Sequence, residues 1–220
     1  MSPEKHYPNA PITEALIDFR VDYGEEISLQ RLNAFGAVIR QTYPHSDTRD
    51  FLQAEIQFAP GQLQPGTSST RKTVGYIFHS EDRRQAVQAR LDGFTFSRFK
   101  PYENWAKLKT EAHRLWDSFV SLTRPKKVNR IAVRYINQLN LPLKGEGLRF
   151  EDYLRTFPEV GGDADQPIEQ FFVRLVLPQN DLSARLVLTE ALLPPQQPEA
   201  IGVILCAFRG VVRHSSAFKL

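Results

Sequence analysis

The stretch Leu91-Asp92-Gly93-Phe94-Thr95-Phe96-Ser97-Arg98-Phe99-Lys100-Pro101-Tyr102-Glu103-Asn104-Trp105 constrains the fold more than any other. It joins an alternating strand to the longest amphipathic helical pattern in the chain. Asp92-Gly93 is the dipeptide favoured in two-residue hairpin turns, whose central residues need positive φ. Period-two alternation then sets Phe94, Phe96 and Arg98 on one face of a strand and Thr95, Ser97 and Phe99 on the other. Pro101 ends that strand, and Trp105 opens the apolar stripe of a helix. One hairpin and one strand-to-helix joint are thereby expected.

Around this joint, 220 residues with 41% hydrophobic and 24% charged side chains read as a globular chain with a substantial core. No apolar run approaches the roughly 18 residues of a membrane span. The opening Met1-Ser2-Pro3-Glu4-Lys5-His6 lacks a signal-like apolar segment. A single cysteine, Cys206, closes no internal disulfide. These features lead us to expect a cytoplasmic protein. A net charge of +3 is mildly basic, and charge alone does not demand a nucleic-acid partner.

The rest of the chain alternates in the same way. Residues 14–21 place Ala15, Ile17, Phe19 and Val21 opposite Glu14, Asp18 and Arg20. A helix is expected over 28–42, capped by Ser28, with Leu32, Phe35, Ile39 and Tyr43 in register. Strands follow over 51–58 (Leu52, Ala54, Ile56 and Phe58 inward), 72–79, 84–91 and 94–99, with a mobile loop over 60–69. The helix over 103–122 carries Trp105, Leu108, Ala112, Leu115, Trp116 and Phe119, and Pro125 breaks it. A strand over 129–141 sets Ile131, Val133 and Tyr135 against Arg130, Arg134 and Ile136. A short helix over 150–156, a flexible Gly161–Asp165 loop and strands over 168–177, 184–191 and 201–207 complete the pattern.

This order predicts an α+β fold: a largely antiparallel twisted sheet with helices packed on one face. One domain spans 1–220, with pseudo-repeat units of about 9–124 and 125–220. The first unit, β-α-β4-α, resembles the TATA-binding and helix-grip architecture. The second reads as an incomplete repeat lacking its closing helix, ending in a short basic tail over 211–220 that reads as a truncated or altered terminus. That leaves a face of Phe171, Val173, Leu175, Leu186 and Leu188 in need of cover, from the 103–122 helix, from the tail or, in the favoured reading, from a second copy in a two-fold dimer.

Three blocks, Asn9 to Phe19 (NAPITEALIDF), Gly93 to Tyr102 (GFTFSRFKPY) and Arg130 to Asn137 (RIAVRYIN), together resemble the sporadically distributed prokaryotic TIGR-type family of unknown function. The likeness covers about residues 9–205. It implies no activity, substrate or catalytic residue. Sporadic distribution implies accessory genes, which fits a partner-directed role.

Chemistry-bearing patterns are sparse. The chain has no Walker-type loop, no Gly-x-Gly-x-x-Gly after a strand, and no pair among His6, His45, His79, His113 and His214 at metal-ligand spacing. No cofactor and no metal are therefore expected. Cys206 sits in an apolar strand as a core residue, and His79-Ser80 lacks an acid partner for a hydrolase. Glu14 and Asp18 share a face at about 13 Å, too far for an acid–base pair, and Arg20 can neutralise Asp18. Arg98, Lys100, Arg130 and Arg134, with Tyr102 and other aromatics, can form a basic and aromatic surface suited to phosphates and bases; the plainer reading has the aromatics in the core. Asn137 completes the binding residues. The expected function is a non-enzymatic binding module whose sheet face engages a macromolecule, protein first and nucleic acid second. A metal-dependent hydrolase or nuclease built on Glu14 and Asp18 is the third reading.

Overall fold

Strands that alternate apolar and polar residues bury one face and leave the other for other uses, and this chain is built on that rule. The structure, a computed structural model, describes residues 9–57, 66–142, 149–158, 168–197 and 200–215. Along the chain come β1 (Ile12–Asp22), α1 (Leu29–Ile39), β2 (His45–Gln57), β3 (Gly66–His79), β4 (Gln85–Arg90), β5 (Gly93–Phe99) and α2 (Trp105–Thr123). Then follow β6 (Lys127–Pro142), a 3-10 turn (Phe150–Asp152), β7 (Phe172–Gln179), a second 3-10 turn (Asn180–Leu182), β8 (Ala184–Gln197) and β9 (Ala200–Ser215).

The strands form one open antiparallel sheet of nine, in the order β2-β3-β4-β5-β1-β6-β9-β8-β7. β1 and β6 are central, paired from Ile12↔Asn137 to Asp22↔Lys127. Outward from this seam, β5, β4 and β3 lie on one side and β9, β8 and β7 on the other.

Both helices pack on the same face of the first half. Ser28 caps α1 by accepting from the Arg31 amide, and Asn104 caps α2 by accepting from the Lys107 amide at 2.9 Å. α2 ends at Arg124 in the left-handed region, just before Pro125. Ala15, Ile17 and Phe19 of β1, Phe94 and Phe96 of β5, and Leu115, Trp116 and Phe119 of α2 form the main core. Trp116 stacks on Phe19 with ring centroids 4.1 Å apart. A smaller cluster of Leu141, Leu154, Phe171 and Val203 fills the far end of the second half.

Several expectations are corrected. The β4–β5 turn is centred on Leu91-Asp92, with Arg90 opposite Gly93, rather than on Asp92-Gly93. Gly93 itself has φ +155°, and a Cβ there would lie 2.0 Å from the Phe19 carbonyl oxygen, so the close approach of β1 requires glycine. Leu52 is 67% exposed rather than inward, because α1 and α2 lie over β3, β4, β5 and β1 and not over the β2 edge. The side chains of Ala54 and Ile56, residue Phe58 and the Gly161–Asp165 loop lie outside the described residues. So does most of the expected 60–69 loop, while Gly66 already belongs to β3. The 150–156 helix is a single 3-10 turn. The expected basic tail is strand as far as Ser215, paired with β6 across a register shift between Val128 and Arg130, so its described part extends the sheet; residues 216–220 lie outside the described residues.

Candidate functional site

The face away from the helices is where the charged residues gather. Pairing carries side chains across it: Asp18 lies opposite Thr95 and Ala132, Arg20 opposite Gly93 and Arg130, Leu16 opposite Arg134, and Arg134 opposite Phe208. Asp18 is the centre. Its Oδ1 accepts from Arg90 Nη2 at 2.8 Å and from the Thr95 hydroxyl at 2.8 Å, and its Oδ2 accepts from Arg130 Nη2 at 2.6 Å. Arg20 Nε is 3.8 Å from the same oxygen. Arg90 also donates to Thr95 and, at 2.9 Å, to Asp92, which pairs with Arg20 as well.

Burial alone would raise the Asp18 carboxyl, but the Arg90 charge and the hydrogen bonds from Arg130, Thr95 and Arg90 outweigh it and hold the pKa below its usual value. Burial lowers the Arg90 guanidinium, and Asp18 opposes that shift. Asp18 is therefore a fixed anion with both oxygens occupied. A proton acceptor works best with a pKa near working pH; the Asp18 carboxyl is held below even its usual value. A divalent cation at Asp18 would have to displace guanidiniums. Among the described residues, no group of three His, Cys, Asp or Glu side chains is gathered for a metal.

Beyond Asp18 the face stays basic. A hollow of about 330 Å³ is lined by Glu14, Asp18, Arg20, Arg49, Arg90, Arg130 and Arg134. A second, of about 750 Å³, is lined by Arg130, Arg174, Arg185, Val176, Val187 and Phe208 among others. Arg130 and Phe208 belong to both, so the hollows are continuous. Among the described residues, seven arginines and two carboxylates line the pair. The Arg130 and Arg134 guanidiniums each sit 5.4 Å from the Phe208 ring centroid. The buried Nε groups of both arginines have no hydrogen-bond partner.

Of the residues expected at the site, Glu14, Asp18, Arg20, Arg130 and Arg134 share this face. Arg98 does not. It shares the Phe94–Phe96 side, beneath the helices, and pairs with Glu103 at 3.2 Å. Tyr102 is also on the helix side, its hydroxyl 3.3 Å from that of Tyr135. Asn137 donates to the Leu205 carbonyl at 3.3 Å. Lys100 is exposed just beyond β5. The expected basic surface is thus split, and its real members also include Arg49, Arg90, Arg174, Arg185 and Phe208. Alternation in β4 already pointed Arg90 to the side of Thr95. Arg174, Arg185 and Phe208 depended on long-range pairings with no local signal.

The other nucleophile candidates are engaged or suppressed. Ser80 donates to Asp82 at 2.7 Å and accepts from the Gln85 amide. Burial raises the Cys206 thiol above its usual pKa. His79 Nε2 lies 3.5 Å from Asp47.

Among the described residues, no helix is long and apolar enough to cross a membrane. No family model matches the chain, and no curated protein matches it.

Proposed function

We propose that the protein is a non-catalytic binding module whose open sheet face takes a phosphate-bearing polyanion, single-stranded nucleic acid first. The observation that carries this reading is the arginine excess on that face: among the described residues, seven guanidiniums against the carboxylates of Glu14, Asp18 and Asp92, around the Phe208 ring. Guanidinium forks match phosphate oxygens in pairs. An aromatic ring among cations also suits bases stacked between phosphate contacts. Asp18 in this reading is a spacer: it neutralises the buried Arg90 and fixes the tilt of Arg130.

A protein partner with an acidic surface is the competing reading, and it shares the same arginines. In either case the role is accessory, in keeping with the resemblance to the sporadically distributed prokaryotic family. We further infer a tandem duplication, since matching β6 to β1 and β7, β8, β9 to β3, β4, β5 makes the strand order symmetric about the central seam. A second copy of the chain is the remaining partner in this reading.

The experiment is fluorescence anisotropy with labelled 20-nucleotide single-stranded DNA and RNA and, as competitors, heparin and poly-glutamate. Arg174→Ala with Arg185→Ala removes two exposed contacts without touching Asp18, and should weaken nucleic-acid binding at least tenfold. Arg98→Ala with Lys100→Ala should leave it unchanged. No retention of either polymer at 25 mM salt would overturn the reading, and preference for poly-glutamate would favour the protein partner.

A further inference from the structure

Among the described residues, β7 is the terminal strand of the sheet beyond β8. The Leu192 amide donates to the Phe171 carbonyl, and the register continues as Val173↔Glu190, Leu175↔Leu188 and Leu177↔Leu186. Residues 173, 175 and 177 therefore spend their backbone groups on β8. Phe172, Arg174 and Val176 turn N–H and C=O outward, and Pro178 turns a carbonyl outward. An outer edge of this kind is a template for another strand unless charge, proline or a bulge blunts it. β7 has one charge, Arg174, and one proline, near its end. Its apolar side chains are open on both faces: Phe172 is 68% exposed, Val176 51%, Leu177 41% and Leu175 37%.

We propose that β7 pairs antiparallel with β7 of a second copy, about a two-fold axis through Leu175. The sequence selects both the occupant and the register. With Leu175 opposite its own copy, Val173 meets Leu177 on the helix side, and Arg174 meets Val176 on the open side. Each outward N–H of Arg174 and Val176 then meets an outward carbonyl of the partner strand. Shifting the axis to Arg174 would set two like charges directly opposite each other, which is destabilising. Pairing β7 with β2, the other edge, where Phe51 is 58% exposed, would be head-to-tail and would leave one edge of each pair open unless several copies closed a ring. The two-fold pairing closes. It keeps like faces together, so the hollow lined by Arg174 and Val176 runs on into the copy's hollow. The inference does not rest on the polyanion reading.

Sedimentation velocity from 1 to 100 µM is the test, with nucleic acid absent. The wild-type chain should reach about twice its mass of 25.2 kDa. Leu175→Lys puts two ammonium groups on the axis and should leave a monomer with unchanged circular dichroism. Leu175→Cys in a Cys206→Ser background should cross-link to a covalent dimer on mild oxidation, because residues on such an axis lie at about 4.5 Å between Cα atoms. A monomer at 100 µM, open-ended assembly, or a dimer that the Leu175→Cys variant fails to cross-link would each overturn the proposal.

Discussion

Asp18 and Glu190 are both buried carboxylates, and they behave in opposite ways because their surroundings differ. Asp18 has guanidiniums on both oxygens, whereas Glu190 Oε2 has no hydrogen-bond partner, opposite Val173 and Leu205. Removing the Asp18 charge strands Arg90, whose side chain is only 6% exposed. Asp18→Asn should therefore cost about 3–5 kcal/mol in urea unfolding at neutral pH. It should at the same time tighten polyanion binding, since the face loses an anion; a catalytic carboxylate would show no such gain. With a folded pKa below its unfolded value, Asp18 contributes fully above that unfolded value and loses its contribution as pH falls through the folded pKa. The variant should lack that acid-side slope. Burial raises the Glu190 pKa, so this side chain costs stability as pH rises from its unfolded value through the folded one. Glu190→Met should accordingly raise stability at pH 7 by about 1 kcal/mol, with the gain shrinking below pH 4. Equal gains at pH 7 and pH 4 would contradict this account of Glu190.

At the scale of elements, periodicity explains which parts were readable. The stripe Leu108, Ala112, Leu115, Trp116 and Phe119 foretold α2 and its buried face, and all five are buried. Trp116 is 4% exposed against Phe19 and Phe94, so Trp116→Ala should lower stability by about 3–5 kcal/mol. A near-wild-type melting temperature would refute the helix-on-sheet contact. The β4–β5 turn shows how a wrong local detail leaves the faces intact. Centring it one residue earlier shifts the pairing by two, and a shift of two keeps every side chain on its own face. Alternation therefore separated Asp18 and Arg20 from Ile17 and Phe19, and Arg130 and Arg134 from Ile131 and Val133. The same logic assigns Arg98 to the face of Phe94 and Phe96, which is why nearness in sequence to other basic residues misled. Trp105 opens the apolar stripe, yet it is half-buried at the rim of an apolar hollow of about 300 Å³ with Val133, Tyr135, Leu186 and Ala207. Local pattern carries no information on where a helix stops covering a sheet.

For the whole molecule, the helices cover one face of the first half and leave the other face to arginine. The far partners of that face, Phe208 on β9, Arg174 on β7 and Arg185 on β8, come together only through the β6–β9–β8–β7 pairings, which no local stretch encodes. That one sheet face would be apolar and the other charged was legible from alternation; which side chains meet on the charged face was not, because that depends on register across strands far apart in sequence. The salt dependence of binding tests the account most directly. Anisotropy of labelled oligo-dT should be recorded between 25 and 300 mM sodium chloride. Log K should fall linearly with log salt with a slope of about −3 to −4, as expected if roughly four to six of the seven arginines, without the buried Arg90, meet phosphates at about 0.7 ion each. Arg174→Ala with Arg185→Ala should reduce that slope by about 1.4. A slope near zero, or one unchanged in that variant, would contradict it.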